Sequence, residues 1–301
     1  MPPPRRNSPA EYTAVIDLSW LFHLASLFPL DGMDMRFMQQ ALVALVLLAP
    51  MTAALGVQVV YYRMAFFSDA VGHSAFAGVA IGLILGVNPH ISMPLFGLAV
   101  GLVIMFMQRF SALPSDTVIG VVFSAVVASG LAVVSRNNTI ARDLQQFLYG
   151  DILTMTQTDI CWLIALFVLF VLFQIFAFNR LLYAGTSGII ARAHRVPVAL
   201  FEYLFAALLA LVVMFSVWGV GVLLVTAMLI VPAASARNFA SSAGGMFWWA
   251  ILVSTSSAVA GLSLSVQPWM GTATGATIIL VCCVWFLVSV VVSAARNERQ
   301  A

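Results

Sequence analysis

The chain has 301 residues, of which 62% are hydrophobic and only 8% are charged, and its formal net charge is +2. Soluble globular proteins carry about 25% charged residues, so this composition excludes a soluble fold and indicates a chain that is surrounded by lipid. The small net charge gives no support for nucleic-acid binding.

The N-terminal region is predicted to lie outside the hydrocarbon core of the membrane. Residues 1–17, which begin MPPPRRNSPAEYT, are rich in proline and polar residues and are typical of a disordered tail. Residues 18–30 place Trp20, Leu24 and Leu27 at helical spacing, but the segment is too short to span a bilayer. We therefore expect residues 18–30 to form an interfacial helix.

Residues 31–295 are predicted to form a single transmembrane domain. A span needs roughly 20 apolar residues, and by that measure the spans are 37–61, 64–86, 91–109, 117–135, 160–178, 199–217, 219–239, 244–265 and 272–294. The number is eight if the stretch 199–239 is one helix, since it is broken only by Trp218-Gly219-Val220-Gly221. The predicted fold class is an all-α, polytopic transmembrane helical bundle of eight or nine spans.

The arginines indicate which side of the membrane is cytoplasmic. If nine spans alternate in direction, eight of the 13 arginines fall on one side, and five fall on the other side or in the tail. Cytoplasmic loops carry an excess of basic residues, so the arginine-rich side is predicted to be the cytoplasm, with the C-terminus inside. The eight are Arg63, Arg109, Arg180, Arg192, Arg195, Arg237, Arg296 and Arg299.

Asp69 and His73 are the ionisable pair inside a predicted span, in the sequence MAFFSDAVGHSAFAGVAIGLILG. Their separation of four residues puts both side chains on one helical face. Counted from Arg63 at 1.5 Å per residue, they lie roughly 9 and 15 Å into the span. Asp116 and most of the other acidic residues fall at span ends or in loops.

Three interpretations of the Asp69–His73 pair follow from the residues. A carboxylate oxygen and an imidazole nitrogen on one face suit a divalent cation such as zinc or manganese. The same two groups could instead hydrogen-bond within the bundle as a polar contact between helices. They could also relay protons, since ionisable residues inside spans are costly and are functional candidates by default.

Lysine is absent, and all 13 basic residues are arginine. A P-loop requires Gly-Lys-Ser or Gly-Lys-Thr, so this chain has no P-loop with which to hydrolyse ATP. It also lacks a nucleophile elbow and an HExxH motif. We therefore expect no catalytic residues and no permanently bound cofactor, and any ATP that drives transport has to be hydrolysed by another chain.

Four stretches of the sequence resemble the membrane permease subunits of metal-uptake ABC transporters, the zinc, manganese and iron group. Residues 62–73 place Arg63 ahead of Asp69-x-x-x-His73, which is similar to the family's motif on its second span. The other stretches are 115–120 (SDTVIG), 147–153 (FLYGDIL) and 219–237 (GVGVLLV…LIVPAASAR). Together they cover residues 37–295 in the family's order.

The resemblance implies an ABC importer permease in the inner (plasma) membrane. It implies a homodimer of this chain, two cytoplasmic ATP-binding cassette ATPase subunits and an extracytoplasmic metal-binding protein that delivers the ion. Asp69 and His73 match the family's residues that line the translocation path and are taken to bind the ion.

Residues 183–198 correspond to the family's coupling segment, which docks on the ATPase. The family usually opens this segment with an acidic residue, whereas this chain reads Tyr183-Ala184-Gly185. The candidate ATPase-coupling residues within it are Ser187, Arg192, His194 and Arg195.

The transported ion is predicted to be zinc, because Val87-Asn88-Pro89 after the second span looks like the zinc branch of the family. Manganese and iron are the alternatives. A different class of function is a proton-coupled secondary transporter that uses Asp69 and His73 and needs no ATPase. A membrane-embedded enzyme or scaffold is a further alternative, but the predicted spans contain no second polar cluster to support it.

Overall fold

The computed structural model describes residues 19–27, 33–135, 152–186 and 197–298. Within these ranges the chain forms ten α-helices and a short 3-10 helix at Ile152–Thr154. The α-helices are α1 (Ser19–Ser26), α2 (Arg36–Tyr61), α3 (Phe67–Leu85), α4 (Pro89–Phe110), α5 (Ser115–Val134), α6 (Gln157–Thr186), α7 (Val198–Val220), α8 (Val222–Phe239), α9 (Ala243–Ser265) and α10 (Thr274–Glu298). The predicted tail, residues 1–17, lies outside the described residues.

Nine helices in the described part of the chain are long and apolar enough to cross a membrane, which confirms the predicted polytopic helical fold. The stretch 199–239 forms two spans, because α7 ends at Val220 and α8 begins at Val222. Gly221 between them has a φ of 82°, a left-handed conformation that glycine adopts without the steric cost of a side chain.

Helix α1 packs against α2 and does not itself reach spanning length. Its Phe22 and Ala25 are buried, whereas Trp20, Leu24 and Leu27 are exposed. An exposed apolar face on a short helix is consistent with a position in the membrane interface, which stays a prediction.

Contacts between helix ends show that successive spans run in opposite directions. Tyr62, at the end of α2, donates a hydrogen bond from its hydroxyl to the carbonyl oxygen of Leu181 near the end of α6, at 3.2 Å. The same ring stacks on Phe205 in the first half of α7, with ring centroids 5.6 Å apart. On the other side of the bundle, His90 in the first turn of α4 meets Trp218 near the end of α7. The end of α2, the end of α6 and the start of α7 therefore share the side that is predicted to be cytoplasmic.

Two groups of helices make up the bundle. Helices α2, α8, α9 and α10 pack on one another, as do α3, α4, α5 and α7, and α6 contacts both α2 and α7. Helix α2 is the central element, since 78% of its most apolar stretch is buried, compared with 22% for α5 and 17% for α10. Gly56 allows the closest approach in this core, because α8 crosses α2 with the carbonyl group of Leu229 directly over it.

Gly56→Ala should lower the melting temperature of the detergent-solubilised protein. A methyl group at Gly56 would overlap the Leu229 carbonyl oxygen, and backbone cannot move aside as a flexible side chain can. Overpacking of this kind costs about 1–3 kcal/mol. Gly244→Ala is the matched control, since its methyl group would have no neighbour within 4 Å. Equal melting temperatures for the two variants in a fluorescence-based unfolding assay would contradict the prediction.

Candidate functional site

Asp69 and His73 lie on the wall of one cavity, together with Asp116 of α5. The cavity has a volume of about 560 Å³ and lies between α3 and α5. Its remaining lining residues are Phe66, Ile119, Gly120 and Phe123. The site therefore combines two carboxyl groups and an imidazole with walls that are otherwise apolar.

Helix α3 begins later than the sequence predicts, at Phe67 rather than near residue 64. Measured from Phe67 at 1.5 Å per residue, Asp69 lies about 3 Å and His73 about 9 Å along the helix. The sequence estimate of 9 and 15 Å differs because it counts from Arg63, as though a helix ran without interruption from that residue. Asp69 is in the first turn, where the helix dipole favours a negative charge.

The interruption is a Schellman motif at the end of α2. The backbone N–H of Arg63 donates to the carbonyl oxygen of Val60 at 3.2 Å, and that of Met64 donates to the carbonyl oxygen of Val59 at 3.0 Å. Arg63 occupies the left-handed position of this motif with a φ of 54°. Glycine is the usual residue there, and a residue with a side chain pays about 1–2 kcal/mol for the conformation.

Two aromatic side chains hold the His73 ring in place. Phe76, one turn further along α3, stacks on it with centroids 6.3 Å apart, and Phe123 of α5 meets it edge-on at 5.5 Å. Because these contacts come from two helices, they fix the direction in which the imidazole faces the cavity. Helix α3 is itself tightly placed, since a methyl group at Gly72 would lie 3.0 Å from a methyl carbon of Val222 in α8.

The Asp69 carboxylate faces α8 as well as the cavity. It lies close enough to the Thr226 side chain and to His73 to interact with both electrostatically, while the Thr226 hydroxyl itself donates to the carbonyl oxygen of Leu223 at 3.2 Å. Asp69 is only half-buried, so the carboxylate remains accessible from the cavity.

Asp116 is the site residue that sequence reasoning missed, since it had been placed only at a span end. It does lie at a span end, in the first turn of α5, but there it is exposed to the cavity that Asp69 and His73 also line. The alternating direction of the spans could have indicated that Asp116 lies near Asp69. Helices α3 and α5 both begin on the same side of the membrane, so acidic residues in their first turns lie at similar depth.

These three side chains do not converge on one point. Among the described residues, no group of three or more His, Cys, Asp or Glu side chains is close enough to hold a metal ion. Zinc is almost always bound by four ligands in protein sites. The described part of one chain therefore does not bring together enough side chains of these types for a complete zinc site.

The end of α6 is fastened to the end of α2 beside this site. In addition to the Tyr62–Leu181 hydrogen bond, the Gln58 side chain of α2 donates to Gln174 of α6 at 2.8 Å within the core. Burial, and secondarily the Glu202 carboxylate, raises the pKa of Tyr62 above its ordinary value. The Tyr62 hydroxyl thus keeps its proton at physiological pH and remains a hydrogen-bond donor.

The candidate coupling residues Ser187, Arg192, His194 and Arg195 lie outside the described residues. The described flanks of the predicted segment are the end of α6, up to Thr186, and the start of α7. Gly185 in the first flank lies against Tyr61 and Tyr62, so the last turn of α6 lies next to the turn that leads into α3.

His90 belongs to a different part of the molecule. Together with Asp159 and Trp218 it lines a second, largely apolar cavity of about 370 Å³ between the ends of α4, α6 and α7 that face away from the predicted cytoplasmic side. It takes no part in the cavity that contains Asp69 and His73.

Comparison with known proteins places the chain in a family. Residues 34–293 match the ABC 3 transport family. The chain is 33% identical over 260 residues to the high-affinity zinc uptake system membrane protein ZnuB of Haemophilus influenzae, covering 86% of this chain and 97% of that protein. It is 32% identical over 276 residues to the manganese import system permease protein ScaB of Streptococcus parasanguinis, covering 90% and 96%. A solved structure, PsaBC from Streptococcus pneumoniae in complex with Fab, matches with a TM-score of 0.74 and 30% identity, covering 86% of this chain and 93% of that chain. This chain is therefore a multi-span membrane protein that belongs to the ABC 3 transport family.

Proposed function

We propose that this chain is the transmembrane permease subunit of an ATP-driven importer of divalent metal ions, and that the ion passes Asp69 and His73. The observation that carries the proposal is the shared cavity. A carboxylate and an imidazole lie one turn apart on its wall, and a second carboxyl group, that of Asp116, lines the same space. Such groups are costly inside a membrane, which makes them candidates for a functional role by default.

Zinc is the ion that we propose, with manganese and iron as alternatives. Zinc is bound in proteins by carboxylate oxygen and imidazole nitrogen, which are the donors present here. The relatives named for zinc and for manganese are 33% and 32% identical to this chain, so overall identity does not separate the two metals. The choice of zinc rests on the donors and on Val87-Asn88-Pro89 after α3.

The energy source is proposed to be an ATPase on a separate chain, because this sequence has no lysine and hence no P-loop. We propose that the ATPase docks on the segment 183–198, through Ser187, Arg192, His194 and Arg195. The described contacts support a short route from that segment to the ion. Tyr62 joins the end of α6 to the turn after α2, and Asp69 follows only seven residues later.

A homodimer is proposed to complete the site, because the described residues of one chain supply too few ligands. The outer face of α5 supports this arrangement, since it borders the cavity and is exposed. In membranes, small residues let helices approach closely. The small exposed residues on this helix are Gly120, Ser124, Ala125, Ala128 and Ser129. An extracytoplasmic metal-binding protein is the proposed source of the ion, on the side of the bundle opposite Arg63.

Asp69→Asn and His73→Gln should each lower the initial rate of radioactive zinc uptake by at least about tenfold. Loss of even an outer-shell partner costs a metal site about 10–100-fold, and these side chains are proposed to contact the ion directly. The assay uses cells that express the full transporter, with membrane levels of each variant measured by immunoblot. His90→Gln is the matched control, because His90 lines a different cavity. Wild-type uptake by both site variants would refute the assignment.

Asp116→Asn should weaken the affinity of the purified protein for zinc several-fold, by less than Asp69→Asn does. The Asp116 carboxylate adds negative potential to the cavity, and such fields raise the local concentration of cations. Isothermal titration calorimetry in nanodiscs measures the change. Asp34→Asn removes an exposed carboxylate elsewhere and should leave the affinity unchanged. If Asp116→Asn also leaves it unchanged, Asp116 has no role in attracting the ion.

The alternative is a proton-coupled secondary transporter that uses the same Asp69–His73 pair. The two functions differ in what the chain needs. We expect this chain, reconstituted alone in liposomes with a proton gradient, to show no zinc flux above empty liposomes. Flux that follows the proton gradient without an ATPase would favour the alternative.

A further inference from the structure

A polar cavity that is separate from the two described above has a volume of about 330 Å³. It lies at the end of α2, on the side predicted to be cytoplasmic. Arg63 and Arg237 both line it, as do the hydroxyl-bearing residues Ser241 and Ser242. Ser242 caps α9, where its side chain accepts a hydrogen bond from the N–H of Gly245 at 3.1 Å. The cavity therefore combines two arginines with the positive end of a helix dipole.

No acidic residue is among the described residues that line this cavity. Two cations that face the same space repel each other unless an anion lies between them. The planar guanidinium group binds carboxylates through paired, parallel hydrogen bonds. The charge and donor geometry of the cavity thus suit an anionic group that comes from outside the described chain.

The position of the cavity indicates where that anion comes from. Helix α2 is the central helix of the bundle, and α6, α8 and α9 pack around it. The lining residues include Gly185 of α6, Arg237 of α8 and Met246 of α9. These helices flank the cavity at the end of α2, on the side predicted to be cytoplasmic. The cavity is therefore placed where a protein docked on the predicted cytoplasmic side can reach it.

The backbone of Arg63 gives independent support. Its left-handed conformation would be less costly for glycine, and it is the only residue other than glycine with a positive φ in the described ranges. Strained positions of this kind concentrate at functional sites. Glycine would close the Schellman turn at lower cost, so the turn itself does not require an arginine at this position.

We propose that Arg63 and Arg237 bind a carboxylate side chain of the ATPase subunit, and so form a second docking point beside the predicted coupling segment. This inference rests on the proposed function, because it requires an ATPase partner. The docking point lies at the turn that leads from α2 into α3. A carboxylate held there would connect the ATPase directly to the helix that carries Asp69 and His73.

The test measures the affinity of the purified permease in nanodiscs for the ATP-binding subunit that co-purifies with the wild-type chain. Arg63→Gly and Arg237→Gln should each weaken binding at least about tenfold, as expected when one partner of a charge-paired contact is removed. Arg63→Gly should keep or raise the melting temperature, since glycine suits the left-handed backbone. Loss of binding therefore cannot be attributed to misfolding.

Arg180→Gln is the matched control, because Arg180 is on the same side of the bundle but contacts Phe201 outside the cavity. It should bind the ATPase as the wild type does. The partner carboxylate can be located by replacing surface Asp and Glu residues of the ATPase with the corresponding amides. One such substitution should weaken binding as much as Arg63→Gly does. When it is combined with Arg63→Gly, it should weaken binding no further.

Wild-type affinity in both cavity variants would overturn the docking point and leave the permease function standing. A lipid headgroup in the cavity would make the wild-type permease melt at a higher temperature in phosphatidylglycerol nanodiscs than in phosphatidylcholine nanodiscs. If the Arg63 and Arg237 variants lose that difference and keep wild-type affinity for the ATPase, the cavity binds a lipid headgroup and the inference is wrong. If no ATP-binding subunit co-purifies with the wild-type chain, the proposed function fails first and the docking point fails with it.

Discussion

In a bilayer the backbone N–H and C=O groups have no water to bond, so each span has to satisfy them within its own helix. In the described ranges, turns therefore lie at the ends of the spans. The joint after α2 closes with hydrogen bonds from Arg63 and Met64, and the joint after α3 closes with one of 2.9 Å from Val87 to Gly82. Because the first backbone N–H groups of a helix have no partner within it, the start of a span also favours acidic side chains. Asp69 and Asp116 both lie in first turns, where unpaired backbone N–H groups favour a negative charge.

The candidate ion site depends on packing more than on its own polar contacts. His73 is held between Phe76 and Phe123, and α3 lies close to α8 at Gly72, where a larger residue would not fit without movement. A half-buried carboxylate and an oriented imidazole can then face a cavity without closing it. The nearby hydrogen bond from Tyr62 to α6 means that this packing is continuous with the surface on which the ATPase is proposed to act.

Hydropathy located all nine spans of the described chain, because bilayer thickness sets the length of an apolar helix. The four-residue spacing also put Asp69 and His73 on one face. Sequence placed the start of α3 too early, since Arg63 occupies a turn position at which glycine is the usual signal. It missed the place of Asp116 in the cavity because proximity between different spans is not encoded in spacing along one of them. The homodimer and the coupling residues within 187–196 remain predictions.

Only two joints in the described ranges connect the group α2, α8, α9 and α10 to the group α3, α4, α5 and α7. One is the turn at Arg63, and the other is the single residue Gly221, on the opposite side of the bundle. Two fixed points on opposite faces define a line through the membrane. A rotation of one group against the other about that line would stretch neither joint. It would change the distance between Asp69 on α3 and Thr226 on α8, and so would alter the surroundings of the carboxylate without breaking a single helix.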